Sequence, residues 1–180
     1  MSETWHDIDI PALRILRYPD PRLRKECAPI TSIDGDLRRL VDRMFELMFD
    51  VHGVGLAAPQ VGVTVRLFVA CPTGESDDRR VYINPRITSL DGSQEGEEGC
   101  LSFPGIYSKI KRADLAVIEA HDIDGRAFEE TGQGLTARIF QHECEHLDGR
   151  LLVDRMGTVS KLANRRALKE LEEKFASTPR

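Results

Sequence analysis

A helical segment at 135–147 that carries an HExxH motif is the feature that most constrains this chain. His142 and His146 are four positions apart, and because an α-helix turns about 100° per residue, their side chains lie about 40° apart on one face. Two histidines one turn apart can bind a single metal ion. The segment also carries large apolar residues, namely Leu135, Ile139, Phe140 and Leu147. We therefore predict a metal-binding helix that is packed inside the protein.

Two glutamates of this motif lie on either side of the histidines. Glu143 projects about 60° to one side and Glu145 about 60° to the other, so helix geometry alone does not choose the acid–base residue. The general zincin pattern favours Glu143, which directly follows the first histidine. Cys144 projects about 200° away from His142, so we predict that it packs away from the metal.

The residues alone leave the third metal ligand open. A metzincin would need a histidine where this chain has Leu152, so that arrangement is excluded. A glutamate on a later helix remains a candidate, although Glu170, Glu172 and Glu173 lie in a charge-rich segment typical of a solvated face. The other candidate is Cys100, which follows a glycine-rich turn. An isolated cysteine is, however, more often a small buried residue than a ligand.

Composition favours one globular domain over 1–180 and excludes several classes of partner. Hydrophobic residues make up 41% of the 180 residues and charged residues 31%, enough to bury a core. The 25 basic residues are outnumbered by 30 acidic ones, giving a net charge of −5. Domains that bind nucleic acid or anionic membranes are usually strongly basic, so we expect no direct DNA binding and no membrane association.

The N-terminal stretch 1–7 has neither a basic start nor an apolar run, so we expect no secretory signal. No stretch approaches the roughly 18 apolar residues that a membrane-spanning helix needs. We therefore expect a cytoplasmic protein, in which cysteines stay reduced.

The four cysteines, which form no CxxC pair, are Cys27, Cys71, Cys100 and Cys144. This spacing argues against a zinc ribbon or a disulfide scaffold.

The remaining segments predict an α+β fold with antiparallel sheet. Proline-rich chain at 11–33 is expected to be extended or looped, because proline interrupts helices. Hydrophobic periodicity predicts helices at 36–51, capped by Asp36, and at 158–176. Alternating or continuous apolar runs bounded by turn residues predict strands at 65–70, 81–84, 115–121 and 128–131. The acidic, glycine-rich stretch 92–99 is expected to form a loop.

The segment Gly53–Ala58 matches the GxGxxA dinucleotide pattern, but its context is wrong. A predicted helix precedes it instead of a strand, and Pro59 blocks the helix that should receive the pyrophosphate. A better interpretation is a strand-like backbone that a ligand can approach closely, because glycine has no side chain. Gln60 then places a polar amide at the end of an apolar run.

Three motifs in this order resemble the peptide deformylase family. They are GVGLAAPQ at 53–60, EGCLS at 98–102 and QHECEHLDG at 141–149, and YINP at 82–85 is also similar to a family strand. The resemblance covers roughly 15–155 and implies one α+β domain. In that domain antiparallel sheets pack around a central HExxH helix, with one helix near each terminus.

The resemblance also implies a metal centre and an activity. It places Cys100, His142 and His146 on one divalent ion, with water as the fourth ligand. The expected ion is Fe(II), for which zinc or nickel can substitute. The implied reaction removes the formyl group from the N-terminal N-formylmethionine of nascent polypeptides and releases formate.

Residue roles follow from the same resemblance. Glu143 is expected to be the acid–base residue, and the Gln60 side-chain amide and the Leu101 backbone N–H are expected to bind the developing oxyanion. Val54 and Gly55 are expected to pair with the substrate backbone. These five residues all lie within the shared motifs.

Three further expectations concern side-chain recognition and partners. Ile139, one turn before His142, is a candidate wall of the methionine pocket. Glu145 stands where the family usually has aspartate, and we expect it to meet a basic partner. The basic C-terminal helix at 158–180 is a candidate contact to the ribosome, and we expect a monomer.

Two alternatives remain at this point. A metallopeptidase would cleave internal peptide bonds and would need a glutamate such as Glu170 as its third ligand. A non-catalytic relative would keep the fold and lack activity. The intact set of Gln60, Cys100, Glu143 and both histidines disfavours the second alternative.

Overall fold

The structure is a computed structural model that describes residues 5–178. Its α-helices are α1 Gly35–Asp50, α2 Leu135–Leu147, α3 Leu152–Arg155, α4 Thr158–Ala163 and α5 Arg165–Ser177. Its strands are β1 Gly55–Ala57, β2 Leu67–Ala70, β3 Arg80–Asp91, β4 Gln94–Gly99, β5 Tyr107–Arg112, β6 Leu115–His121 and β7 Ala127–Gln133. Short 3₁₀ helices lie at Trp5–Asp7, Ile10–Ala12, Pro21–Arg24 and Ala58–Val61. Most of the N-terminal stretch predicted to lack a signal lies outside the described residues.

The strands form two antiparallel sheets, which confirms the predicted α+β class. One sheet has five strands in the order β1-β2-β3-β6-β7, and the other pairs β4 with β5. Strand β1 is therefore an edge strand, with one side of its backbone not paired to another strand of the sheet. This edge lies next to the end of β4, and the functional site forms between them.

Helix α2 is buried against the five-stranded sheet, as its apolar residues predict. Ala137, Phe140 and Leu147 are fully buried and share an apolar cluster with Phe68 and Tyr82 of the sheet. The Phe140 ring meets the Tyr82 ring edge-on, with centroids 5.3 Å apart. Burial of these large side chains, each contributing about 1.5–3 kcal/mol, fixes the helix that carries the HExxH motif.

The structure corrects two predicted boundaries in the first half of the chain. Helix α1 is capped by Asp34 and not by Asp36, because Asp34 Oδ1 accepts hydrogen bonds from the backbone N–H groups of Asp36 and Leu37, each at 3.0 Å. The predicted loop at 92–99 is wrong, since most of it forms β4. Its exposed acids lie opposite lysines of β5, so its acidic composition belongs to the outer face of a strand pair.

The predicted C-terminal helix at 158–176 is divided at Asn164. The Asn164 side-chain amide donates to the carbonyl oxygens of Tyr107 and Ser160, each at 3.0 Å. A side chain that bonds nearby backbone in this way competes with regular helix, which explains the break between α4 and α5. Within residues 5–178, no helix has both the length and the apolar character needed to span a bilayer.

Helix α2 ends at a glycine that no other residue can replace without strain. Gly149 has φ +69°, and its N–H donates to the carbonyl of His146 at 3.1 Å. A Cβ at this position would collide with the carbonyl oxygen of Arg24 and lie 2.9 Å from its carbonyl carbon. The predicted end of the helical segment at 147 is confirmed, and the glycine lets the Arg24 backbone pass close to the helix end.

We expect Gly149→Ala to lower the free energy of unfolding by more than the roughly 1–2 kcal/mol that a left-handed backbone alone costs. The excess arises because backbone atoms of Arg24 must move. The control is Gly74→Ala, since Gly74 has φ +76° but nothing within 4 Å of the added Cβ. Denaturant unfolding of both variants measures the difference, and equal losses would contradict this account.

Candidate metal centre

Three side chains from distant parts of the sequence meet at one point. Cys100 directly follows β4, while His142 and His146 project from α2. The Cys100 Sγ lies 3.3 Å from His146 Nε2, which lies 3.2 Å from His142 Nε2, and all three atoms fall within 4.8 Å of one another. Ligands of a tetrahedral ion with bonds of about 2.0–2.3 Å lie roughly 3.3–3.6 Å apart. The observed spacing therefore suits one divalent metal ion.

The environment of His146 also fits a metal ligand. Its side chain is buried, and its Nε2 is the ring nitrogen next to Cys100 and His142, while its Nδ1, unlike that of His142, has no hydrogen-bond partner within the described chain. Burial lowers the pKa of His146 well below its usual value, and the neighbouring His142 adds to this shift. The imidazole is thereby held in its neutral form, which is the form that binds metals.

His142 is oriented by a carboxylate. Its Nδ1 lies 2.7 Å from Glu98 Oε1, which leaves Nε2 directed at Cys100 and His146. A hydrogen bond to the second ring nitrogen is the usual way in which proteins fix a metal-binding imidazole.

Glu98 is the centre of a buried ion-pair network. Arg112 donates to both of its oxygens, at 2.6 and 2.9 Å, and Arg138 Nη1 donates to Oε2 at 2.8 Å. Burial raises the pKa of Glu98, but hydrogen bonds from Arg112 and His142 outweigh this and hold the pKa well below its usual value. The carboxylate therefore stays ionised.

Local sequence motifs do not predict this network, although one signal is present in β5. Strand β5 alternates between exposed and buried positions, and Arg112 falls on the buried face together with Ser108 and Ile110. An arginine in phase with buried positions indicates an internal carboxylate partner. The predicted basic partner of Glu145 is confirmed, because Arg112 Nη1 and Arg155 Nε each donate to its Oε1 at 2.8 Å.

Glu143 has different surroundings from Glu145. Its side chain is buried, it faces the groove beside the metal ligands, and its Oε2 has no hydrogen-bond partner among residues 5–178. Burial raises the pKa of Glu143 to about 7. A Cβ at Gly55 would collide with Glu143 Oε1, so the glycine makes room for this carboxyl group. Glu145, by contrast, is held by its two arginines.

Gln60 lies next to Cys100 in the ligand cluster. Its Oε1 accepts from the Ala57 N–H at 2.9 Å, and its Nε2 donates to Ser102 Oγ at 3.2 Å and points at Cys100 Sγ, 3.5 Å away. The backbone N–H of Leu101 makes none of the hydrogen bonds found between the described residues. Gln60 thus brings an N–H donor to the cluster, and Leu101 lines the same groove directly after Cys100.

All predicted site residues except the buried His146 line one groove of about 1420 Å³. Val54 and Gly55 form its wall at the start of β1, and Ile139 forms part of its wall on α2. Cys144 lies in the apolar cluster on the other side of the helix, which confirms that it faces away. Glu170 pairs with Arg166 at 3.0 Å on α5 and is not part of the metal-ligand cluster.

The chain is similar to known proteins over most of its length. It is 46% identical over 161 residues to the peptide deformylase of Alkalilimnicola ehrlichii, covering 88% of this chain and 90% of that protein. The structure matches peptide deformylase 1B of Arabidopsis thaliana with a TM-score of 0.86 and 43% identity, covering 91% of this chain and 92% of that chain. It matches a peptide deformylase from Legionella pneumophila with a TM-score of 0.85 and 43% identity, covering 93% of this chain and 100% of that chain. The sequence profile of the family described as polypeptide deformylase matches residues 12–162. The chain therefore belongs to the polypeptide deformylase family.

Proposed function

We propose that this protein removes the formyl group from the N-terminal formylmethionine of nascent polypeptides and releases formate. One divalent metal ion is bound by Cys100, His142 and His146. The observation that carries this proposal is the convergence of three ligand atoms within 4.8 Å beside the unpaired carboxyl oxygen of Glu143. Membership of the family supports the same reaction.

One thiolate and two imidazoles would hold the ion and leave room for a further ligand, which is the pattern of a catalytic site. When bound, the ion supplies a Lewis acid that activates water and polarises the formyl carbonyl. Thiolate and imidazole ligands suit Fe(II), zinc and nickel. We assign Fe(II) as the working metal, with zinc or nickel able to occupy the same site.

Glu143 is the acid–base residue of this reaction. Its burial and its pKa of about 7 suit a group that gains and loses a proton near neutral pH. Glu143 accepts a proton from the attacking water and later delivers it to the leaving amine. Gly55 contributes by leaving space for the carboxyl group against the backbone of β1.

Gln60 and Leu101 stabilise the negative charge that develops on the formyl oxygen. The Ala57 N–H holds the Gln60 amide by its oxygen, so its NH₂ group faces the ligand cluster. Fixed donors of this kind act where charge develops, and losing one typically costs about 10²–10³-fold in turnover.

The substrate backbone lies along β1. An edge strand can pair with an extended peptide through the side of its backbone that faces no other strand, and Val54 and Gly55 lie at the groove wall on this edge. The Val54 carbonyl oxygen is not available for this pairing, because it accepts from the Cys71 N–H at 2.8 Å. Ile139 supplies apolar surface for the methionine side chain.

We further propose a single catalytic domain over 1–180 that acts as a cytoplasmic monomer. Its partners are nascent formylmethionine peptides, with no direct DNA binding, since the net charge is −5. The segment 158–180 carries exposed basic side chains suited to the phosphates of the ribosome, namely Lys161, Arg165, Arg166, Lys169 and Lys174.

Formate release tests the proposed reaction. We expect protein loaded anaerobically with Fe(II), at one ion per chain, to release formate from a formyl-Met peptide and leave a free amino terminus. The same peptide with a free amino terminus, and protein stripped of metal, serve as controls. No formate from metal-loaded protein would contradict the proposal, and cleavage at an internal bond would indicate a metallopeptidase.

Glu143→Gln tests the acid–base role. We expect formate release to fall by at least about 100-fold, because general acid–base catalysis typically contributes about 10²–10⁴-fold. Metal content should remain one ion per chain, since Glu143 is not a ligand. Glu170→Gln is the matched control and should keep wild-type turnover and metal content. Wild-type turnover of Glu143→Gln would assign proton transfer to another group.

A further inference from the structure

We propose that Arg138 is a positioning residue for the metal centre. By binding Glu98 from helix α2, it holds strand β4, which leads into Cys100, against the helix that carries both histidines. This inference rests on the metal site of the proposed function. The Arg138 side chain is charged, only 8% exposed and located at the groove, so its burial requires a structural or functional reason.

Arg138 and His142 bind the same carboxylate from successive turns of α2. Arg138 Nη1 donates to Glu98 Oε2 at 2.8 Å, and His142 Nδ1 lies 2.7 Å from Oε1. Each oxygen thus has one partner on the helix. Glu98 precedes Cys100 by two residues, so this bridge lies next to the point where the thiolate enters the site.

Arg138 also contacts both strands of the β4–β5 pair. Its Nη1 donates to the carbonyl oxygen of Ile110 on β5 at 3.2 Å, and its Nη2 donates to Gln94 Oε1 on β4 at 3.3 Å. The guanidinium fits here because β4 has a glycine beneath it, and a Cβ on Gly96 would lie 3.2 Å from Nη2. The Arg138 side chain therefore joins α2 to Gln94 and Glu98 of β4 and to Ile110 of β5.

The role of Arg138 is distinct from that of Arg112. Arg112 binds Glu98 from β5 and reaches α2 through Glu145, which lies after His142. Arg138 makes the corresponding link before His142. Two links on either side of His142 fix the rotation of α2 relative to β4, and so fix the histidines relative to Cys100. Without Arg138, Glu98 remains paired with Arg112, so the fold persists while the metal ligands lose their alignment.

Cobalt release tests this inference without relying on turnover. We expect Arg138→Met to release Co(II) to a chelator about 10-fold faster than wild type, since residues that support metal ligands typically contribute 10–100-fold in affinity. Arg138→Lys should fall between the two, because an ammonium group cannot span Glu98, Ile110 and Gln94 together. The thiolate-to-cobalt absorption band should remain in both variants, showing that Cys100 still binds.

Arg80→Met is the matched control. Arg80 is also partly buried and pairs with Glu130 at 2.7 Å, but away from the metal ligands, so wild-type release is expected. Wild-type release from Arg138→Met, or equally fast release from Arg80→Met, would overturn the inference. If Arg138→Met does not fold, the Co(II) release rate of Arg138→Lys is compared with those of wild type and Arg80→Met, and a wild-type rate overturns the inference. A wild-type protein that binds no cobalt would instead overturn the proposed metal site, and with it this inference.

Discussion

The ionised carboxylate of Glu98, buried between Arg112 and Arg138, is the interaction on which the candidate metal centre depends. A buried charge is costly unless it is paired, and removing one partner of a buried pair typically destabilises a protein by about 3–5 kcal/mol. Here two arginines compensate the charge, and one Glu98 oxygen still binds His142. The same carboxylate therefore joins a two-stranded sheet to a helix and orients a metal ligand.

The groove is shaped by a second constraint, the close approach of backbone to α2. Strand β1 can lie against Glu143 because Gly55 has no side chain, and the Arg24 backbone can pass the helix end because of Gly149. These contacts bring an edge strand beside a buried carboxyl group. The proposed function places the substrate peptide at that edge.

The sequence predicted some elements closely and missed others for physical reasons. The bounds of α2 and β6 are confirmed, because their hydrophobic patterns are strong. Most of the stretch 92–99 is a strand and not the predicted loop, because two of its acidic residues, Glu95 and Glu97, lie on the exposed outer face while Glu98 is buried. The break at Asn164 depends on a bond to Tyr107, 57 positions away, which no local pattern contains.

The residues of the candidate site also differ in how far the sequence could predict them. The spacing of His142 and His146 follows from helix geometry, so two ligands were predictable from local sequence. The third was not, because the residues alone leave both Cys100 and a later glutamate such as Glu170 open until the fold places Cys100 beside the histidines. X-ray absorption of the zinc-loaded protein tests that placement most directly. The account predicts one sulfur at about 2.3 Å and two imidazole nitrogens at about 2.0–2.1 Å from the metal. A zinc environment without sulfur would contradict it.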